Sequence, residues 1–275
     1  VTITGSGSLK AEIGDNKDNY NDNAKIASHE DEDMSGNIHI TGSATVTTED
    51  DGEDDFYGDG AGIGSSYNGN MSGSITISGN AQVTAGSGWD GAGIGAGESD
   101  DDPPKSEMSG TITIGGNAKV TAWSEDSGAG IGAGEDGDVS GTIIIGGSAQ
   151  VTAGSDDDGA GIGAGTYGSI TSTGRIILRD SAKVTAIGED EGAGIGAGDD
   201  GHMAGLIIIQ DNAQVTAIAG DRSAAIGSED EDDMRGTILI LGNARITTGM
   251  LLDDDIHFDY KTKKIEYTLD EDAIG

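Results

Sequence analysis

The sequence predicts an all-β chain wound as a parallel β-helix of about eight three-strand coils, followed by a C-terminal cap. Three observations predict it. An Ile-x-Ile block begins at Val1, Ile38, Ile75, Ile112, Ile143, Ile176, Ile207 and Ile238, at spacings of 37, 37, 37, 31, 33, 31 and 31 residues. An Ala-x-Val-Thr block and then a Gly-Ala-Gly-Ile-Gly block follow most copies, as at Ala118–Thr121 and Gly128–Gly132. All three blocks alternate with period two, and none carries a 3.6-residue stripe. A repeat period in this range means a solenoid, and its length variation falls in the acidic connections. Equivalent strands of successive coils then pair roughly 4.8 Å apart, making a rod about 35–40 Å long. The crossover preference of parallel strands gives it a right hand.

The coils occupy residues 1–249. The first is eroded, with Asn23-Ala24-Lys25-Ile26-Ala27 where the glycine block should stand, as terminal repeats often are. Residues 250–275 abandon the repeat. Their segment Lys264–Leu269 alternates like one further strand, which suits a capping role.

In the first strand the outward residue changes character along the rod. His39, Thr76 and Thr113 give way to Ile144, Ile177, Ile208 and Leu239. A continuous exposed aliphatic column calls for a cover. Either the tail, with Met250, Leu251, Leu252, Ile256, Phe258 and Tyr260, or a neighbouring subunit would supply it.

In the second strand Ala81, Val83 and Ala85 face in, and Gln82 and Thr84 face out. The outward Thr recurs from Thr47 to Thr247, but its companion runs Thr45, Gln82, Lys119, Gln150, Lys183, Gln214 and Arg245. No Thr-x-Thr lattice of the ice-binding kind forms, and the column suits an outer strand face.

In the third strand Ala92, Ile94 and Ala96 face in. Gly93, Gly130, Gly161 and Gly194 then stack outward as a bare column. Glycine at such positions means a tight corner of positive φ or a backbone that something must approach closely. The second alternative makes this column a flat docking face for a chain or a glycan.

Fourteen basic against fifty acidic residues leave a net charge of -36, and the chain has no cysteine. Nucleic acid is excluded as a partner, since phosphate binding needs clustered Lys and Arg. No run of about 18 apolar residues exists to insert into a membrane. Beginning at Val1 without an initiator Met or signal peptide, the sequence reads as a mature, processed or excised chain.

The acid is concentrated in two connections per coil. Between the second and third strands stand Asp50, Asp51, Asp54, Asp55, Asp59, Asp90, Asp126, Asp157, Asp158, Asp190 and Glu191. After the third come Glu98, Glu135, Asp136, Asp199, Asp200, Glu229 and Asp230. If the coils stack, each set forms a ladder. Unit charges 5 Å apart at an effective dielectric near 20 repel by roughly 3 kcal/mol, less what salt and side-chain splaying remove. Bound cations relieve that repulsion, and hard oxygen ligands select Ca²⁺ in a structural role. The alternative is a solvated acidic surface.

Catalysis is not expected. Arg175 and Arg179, in one coil near acidic loops, are the most lyase-like pairing, but no carboxylate stands out from its column, and short regular connections leave little wall for a cleft.

The unit Ser109–Ala122 followed by Gly128–Gly132 resembles repeats of bacterial cell-surface proteins known as adhesins or carbohydrate-binding β-helix domains. The likeness covers most of residues 1–249. It implies secretion, surface display and often Ca²⁺, with polysaccharide as a partner class; the density of Asp and Glu departs from the family's Gly/Ser-rich connections. Open solenoid ends are unpaired strand edges, and contact through them or through the flat faces would let copies self-associate. The expectation is a secreted structural or adhesive protein, with a Ca²⁺-dependent carbohydrate-binding module as the alternative.

Overall fold

Alternating Ile, Val and Ala on one side of each short strand can be buried only if another strand covers them, and three parallel sheets do so here. The structure is a computed structural model that describes residues 1–11, 23–29, 31–48, 58–99, 106–220, 222–228, 234–259 and 264–269. The first sheet stacks eight strands, from Thr2–Ile3 to Thr237–Ile240. The second stacks nine, ending in Arg245–Asp259 and Lys264–Leu269, and the third stacks seven two-residue strands from Ile26–Ala27 to Ile226–Gly227. Seven complete coils are thus followed by the first two strands of an eighth. Register is unbroken where the period changes: Ile112 pairs with Ile75, 37 residues before it, and with Ile143, 31 after it. The extra residues are confined to the connections, as the sequence pattern requires.

The interior is a set of columns. Ile38 through Ile207 and Ile40 through Ile209 lie at 0–1% exposure, with Ala and Val of the second sheet and Ile of the third opposite them. A further inward column, which the sequence pattern did not announce, runs Met34, Met71, Met108, Val139, Ile170, Met203 and Met234. Each coil contributes one such residue, bridged to its counterparts in the neighbouring coils at the corner leading into the first strand, and one residue per coil carries no period-two signature. Flexible Met suits an irregular corner.

The glycine column is not a bare outer face. Gly93, Gly130, Gly161 and Gly194 are all buried. The second strand runs on past the core, to Ser87 or Ser124 for example, then doubles back so that its end lies against the outer side of the third strand. A Cβ on Gly130 would sit 2.5 Å from the Gly154 nitrogen, and one on Gly93 2.5 Å from that of Trp123. Two backbones pack there at a distance that only glycine allows. The docking face expected of these residues therefore does not exist, because the chain itself covers it.

Two residues on, Gly95, Gly132 and Gly163 hold φ of +146°, and a Cβ on Gly132 would meet the Gly163 carbonyl oxygen at 1.8 Å. Ala27 takes this place in the eroded first coil, at φ 142°, a conformation unfavourable to it.

The tail forms the further strand expected at Lys264–Leu269 but does not break from the coils at residue 249. The strand Arg245–Asp259 runs unbroken across the boundary placed at residue 249, pairs in parallel with Gln214–Ala219, and is joined in antiparallel fashion by Lys264–Leu269. Leu251 is buried with Ile187 and Ile218 of the second sheet. The tail strands thus extend the second sheet, whereas the aliphatic column belongs to the first. Ile144, Ile177, Ile208 and Leu239 do stack in register and remain half-buried to exposed.

Candidate cation site at the acidic corner

The third strand is only two residues long, so the acidic connections before and after it leave the barrel at the same corner. Backbone bonds lock them together across coils. The Glu98 N–H donates to the Asp59 carbonyl at 2.8 Å, Glu135 to Asp90 at 2.8 Å, Thr166 to Ser127 at 2.9 Å and Asp199 to Asp158 at 2.9 Å. What the sequence shows as two ladders is therefore one double column, in which each residue after a third strand sits on the loop of the coil before.

Serines position the loops. The Ser87 hydroxyl donates to the carbonyls of Gly58 and Gly60, Ser124 to that of Trp89, and Ser155 to that of Asp126. These residues were absent from the sequence-derived site. Their signal was their recurrence two places after Ala85, Ala122 and Ala153, at the end of the extended second strand.

Two sets of three carboxylates converge closely. Oxygens of Asp59, Asp90 and Glu98 lie within 4.8 Å of one another, as do those of Asp157, Asp158 and Asp190. Burial and repulsion raise their proton affinity. Burial first, then the charges of Asp59, Asp90 and Glu135, push Glu98 up to about 9. Burial and Asp90 carry Glu135 to about 8. Asp157 reaches about 8 through burial and its hydrogen bond with Asp126, and Asp158 about 6 through burial and Asp199. Asp90 is also raised, by burial and then Asp126. The column from Asp59 to Asp199 is electrostatically continuous, since Asp126 bears on both Glu135 and Asp157.

Not every sequence-derived ligand belongs to it in the same way. Asp136 and Asp200 occupy left-handed turn positions, at φ 55° and 51°, which Asp tolerates better than most residues. Glu191 is ion-paired with Arg222. Asp50, Asp51, Asp54, Asp55, Glu229 and Asp230 lie outside the described residues. Arg175 and Arg179 are elsewhere: Arg175 is on the first sheet, and Arg179 reaches Asp180 beside the turn that follows it.

The donor set fits a hard divalent cation. It consists of oxygen alone, the spacing within each triad lets one ion reach three carboxylates, and an ion would replace repulsion by attraction.

The repeat family described as "Beta helix repeat" matches residues 38–67, 75–98, 112–135 and 180–199. No curated protein and no solved structure matches the chain. Register, three-sheet architecture and family match agree that this is a β-helix repeat protein.

Proposed function

We propose that this β-helix repeat protein is a structural or adhesive component of the cell exterior, stabilised by Ca²⁺ along its acidic corner and built to self-associate. The observation that carries the reading is the convergence of both acidic connections into one column, with two carboxylate triads whose oxygens lie within 4.8 Å. A surface kept acidic only for solubility would gain nothing from gathering carboxylates where burial raises their proton affinity. An extracellular medium rich in Ca²⁺ gives that arrangement a use. The Asp59–Asp90–Glu98 and Asp157–Asp158–Asp190 sets would hold the ion, which would cross-link neighbouring coils.

Self-association draws support from the C-terminal end. Ile240 is 58% exposed although its column mates Ile209 and Ile145 are fully buried, and Leu239 and Leu241 are exposed beside it. The carbohydrate-binding alternative loses the glycine face on which it depended, because those glycines are covered.

Thermal unfolding of the chelated protein, followed by addition of CaCl₂ and separately of MgCl₂, tests the metal reading. The midpoint rises with Ca²⁺ at millimolar concentration and rises less with Mg²⁺, which demands a tighter octahedron. A midpoint indifferent to EGTA and Ca²⁺ removes the cation from the proposal.

A further inference from the structure

The acidic corner ends in a cation that belongs to the chain. The register of the third sheet aligns Ile63, Ile94, Ile131, Ile162, Ile195 and Ile226. The residues four places before them are Asp59, Asp90, Ser127, Asp158, Glu191 and Arg222. Side chains tie this column together: the Ser127 N–H donates to the Asp90 carboxylate at 3.2 Å, and the Glu191 N–H to that of Asp158 at 3.3 Å. Its charge thus reverses sign at the last coil that has a third strand. An Arg side chain spans the inter-coil step of about 4.8 Å, and Arg222 Nη2 is ion-paired with Oε1 of Glu191 in the coil before. Its influence reaches one coil further. Burial, then Asp199, Asp190 and Asp126, raise the proton affinity of Asp158, and Arg222 lowers it. The Asp157–Asp158–Asp190 triad therefore lies under a tethered guanidinium. In the other triad, the charges that act most on Glu98 are those of Asp59, Asp90 and Glu135, all carboxylates.

We propose that Arg222 is a built-in counter-ion, which ties the last coils of the corner together without metal and competes with a divalent cation for the Asp157–Asp158–Asp190 set. The proposal rests on the Ca²⁺ reading of the corner and gives one residue control over one of its two triads. Both effects have one cause. The guanidinium offers the carboxylates positive charge and N–H donors, so it relieves part of the repulsion that an ion would otherwise relieve. The same charge repels an arriving ion. Across two coil steps, about 8–10 Å, and with the high dielectric and salt screening of a side chain that is 69% exposed, that repulsion amounts to a few-fold in affinity. Arg222 also withholds a ligand. Glu191, whose N–H meets the Asp158 carboxylate, is engaged by the ion pair and does not add its oxygens to the triad, although Ca²⁺ takes six to eight.

Melting of the whole chain in EGTA, together with calorimetric titration of the metal-stripped chain with CaCl₂, provides the test. Arg222→Gln should lower the midpoint in EGTA by about 1–3 °C, as the loss of one largely exposed ion pair implies. The same variant should nevertheless tighten one Ca²⁺-binding step about three- to tenfold. Arg222→Lys, which keeps the charge, should bind more like the parent. In an Asp157→Asn background, which removes a ligand of that triad, Arg222→Gln should no longer tighten binding, because the two substitutions act on one site. A parent chain that binds no Ca²⁺ refutes the reading on which the competition rests, and the competition with it. A parent that binds Ca²⁺ while Arg222→Gln binds it equally or more weakly overturns the role of Arg222 alone. So does an unchanged or raised midpoint of that variant in EGTA, or tightening that persists in the Asp157→Asn background.

Discussion

At the scale of the residue, glycine decides how closely this solenoid can wind. Gly132 shows both of its uses: φ of +146° and a neighbouring carbonyl where a Cβ would stand. The substitution Gly132→Ala should cost of order 3 kcal/mol or more, combining backbone strain with overpacking that no flexible side chain can relieve. Chemical denaturation would show the loss as a lower midpoint, and an unchanged midpoint would refute this account of the column. The recurrence of Gly at this position was plain in the sequence. Its orientation was not, because period-two alternation says that Gly130 faces away from the core but not what lies on that side. The answer came from the end of the second strand, whose return path depends on the corner and not on any local pattern.

At the scale of the element, the acidic corner is a product of strand length. A third strand of two residues leaves no room for its two flanking connections to diverge, and they meet. The pH dependence follows with its sign. Glu98, Glu135 and Asp157 have folded-state values near 9, 8 and 8, above the usual range near 4 of the unfolded chain. The cation-free folded state therefore binds more protons than the unfolded state between about pH 4 and 9. Their contribution to stability is fully present below the unfolded values and is lost as pH rises through the folded ones. In EGTA the melting midpoint should thus fall from about pH 5 to pH 9. Saturating Ca²⁺ should flatten or reverse the trend, since an ion holds the carboxylates ionised. Adding Ca²⁺ to a weakly buffered solution near pH 7 should also release protons, which a pH electrode records. No release would mean that the ion does not displace protons from these groups. The carboxylates themselves were readable from composition and spacing. Their division into converging triads, turn residues such as Asp136 and an ion-paired Glu191 required the folded corner.

At the scale of the whole molecule, a solenoid must solve the problem of its ends. The second sheet is extended at its C-terminal edge by the antiparallel strand Lys264–Leu269, whereas the first sheet ends at Thr237–Ile240 with its inward Ile240 exposed. If that end is an association surface, the double substitution Ile240→Lys/Leu241→Lys should shift sedimentation toward the monomer while lowering the melting midpoint little, because both side chains are already exposed. A parent protein that sediments as a monomer at all concentrations would remove self-association from the proposed function. The aliphatic column from Ile144 to Leu239 lies on the same sheet, so end and face form one apolar region that the strands of the tail do not join.

The sequence by itself determined the architecture: its repeat spacing, block order and alternation left a three-sheet parallel coil as the way to bury Ile, Val and Ala with so few large side chains. It also determined that charge would gather in the connections. Only the tertiary structure decided which outward positions are truly outside. Gly93 and Gly130 turned out to be covered by returning backbone, and the two acidic ladders merged into one. The physical reason is common to both. Alternation is a local property of one strand, dictated by where successive Cβ atoms point. Whether an outward position meets water, a loop or another strand depends on the angle at which the chain turns its corners, and that angle is set by packing between segments distant in sequence.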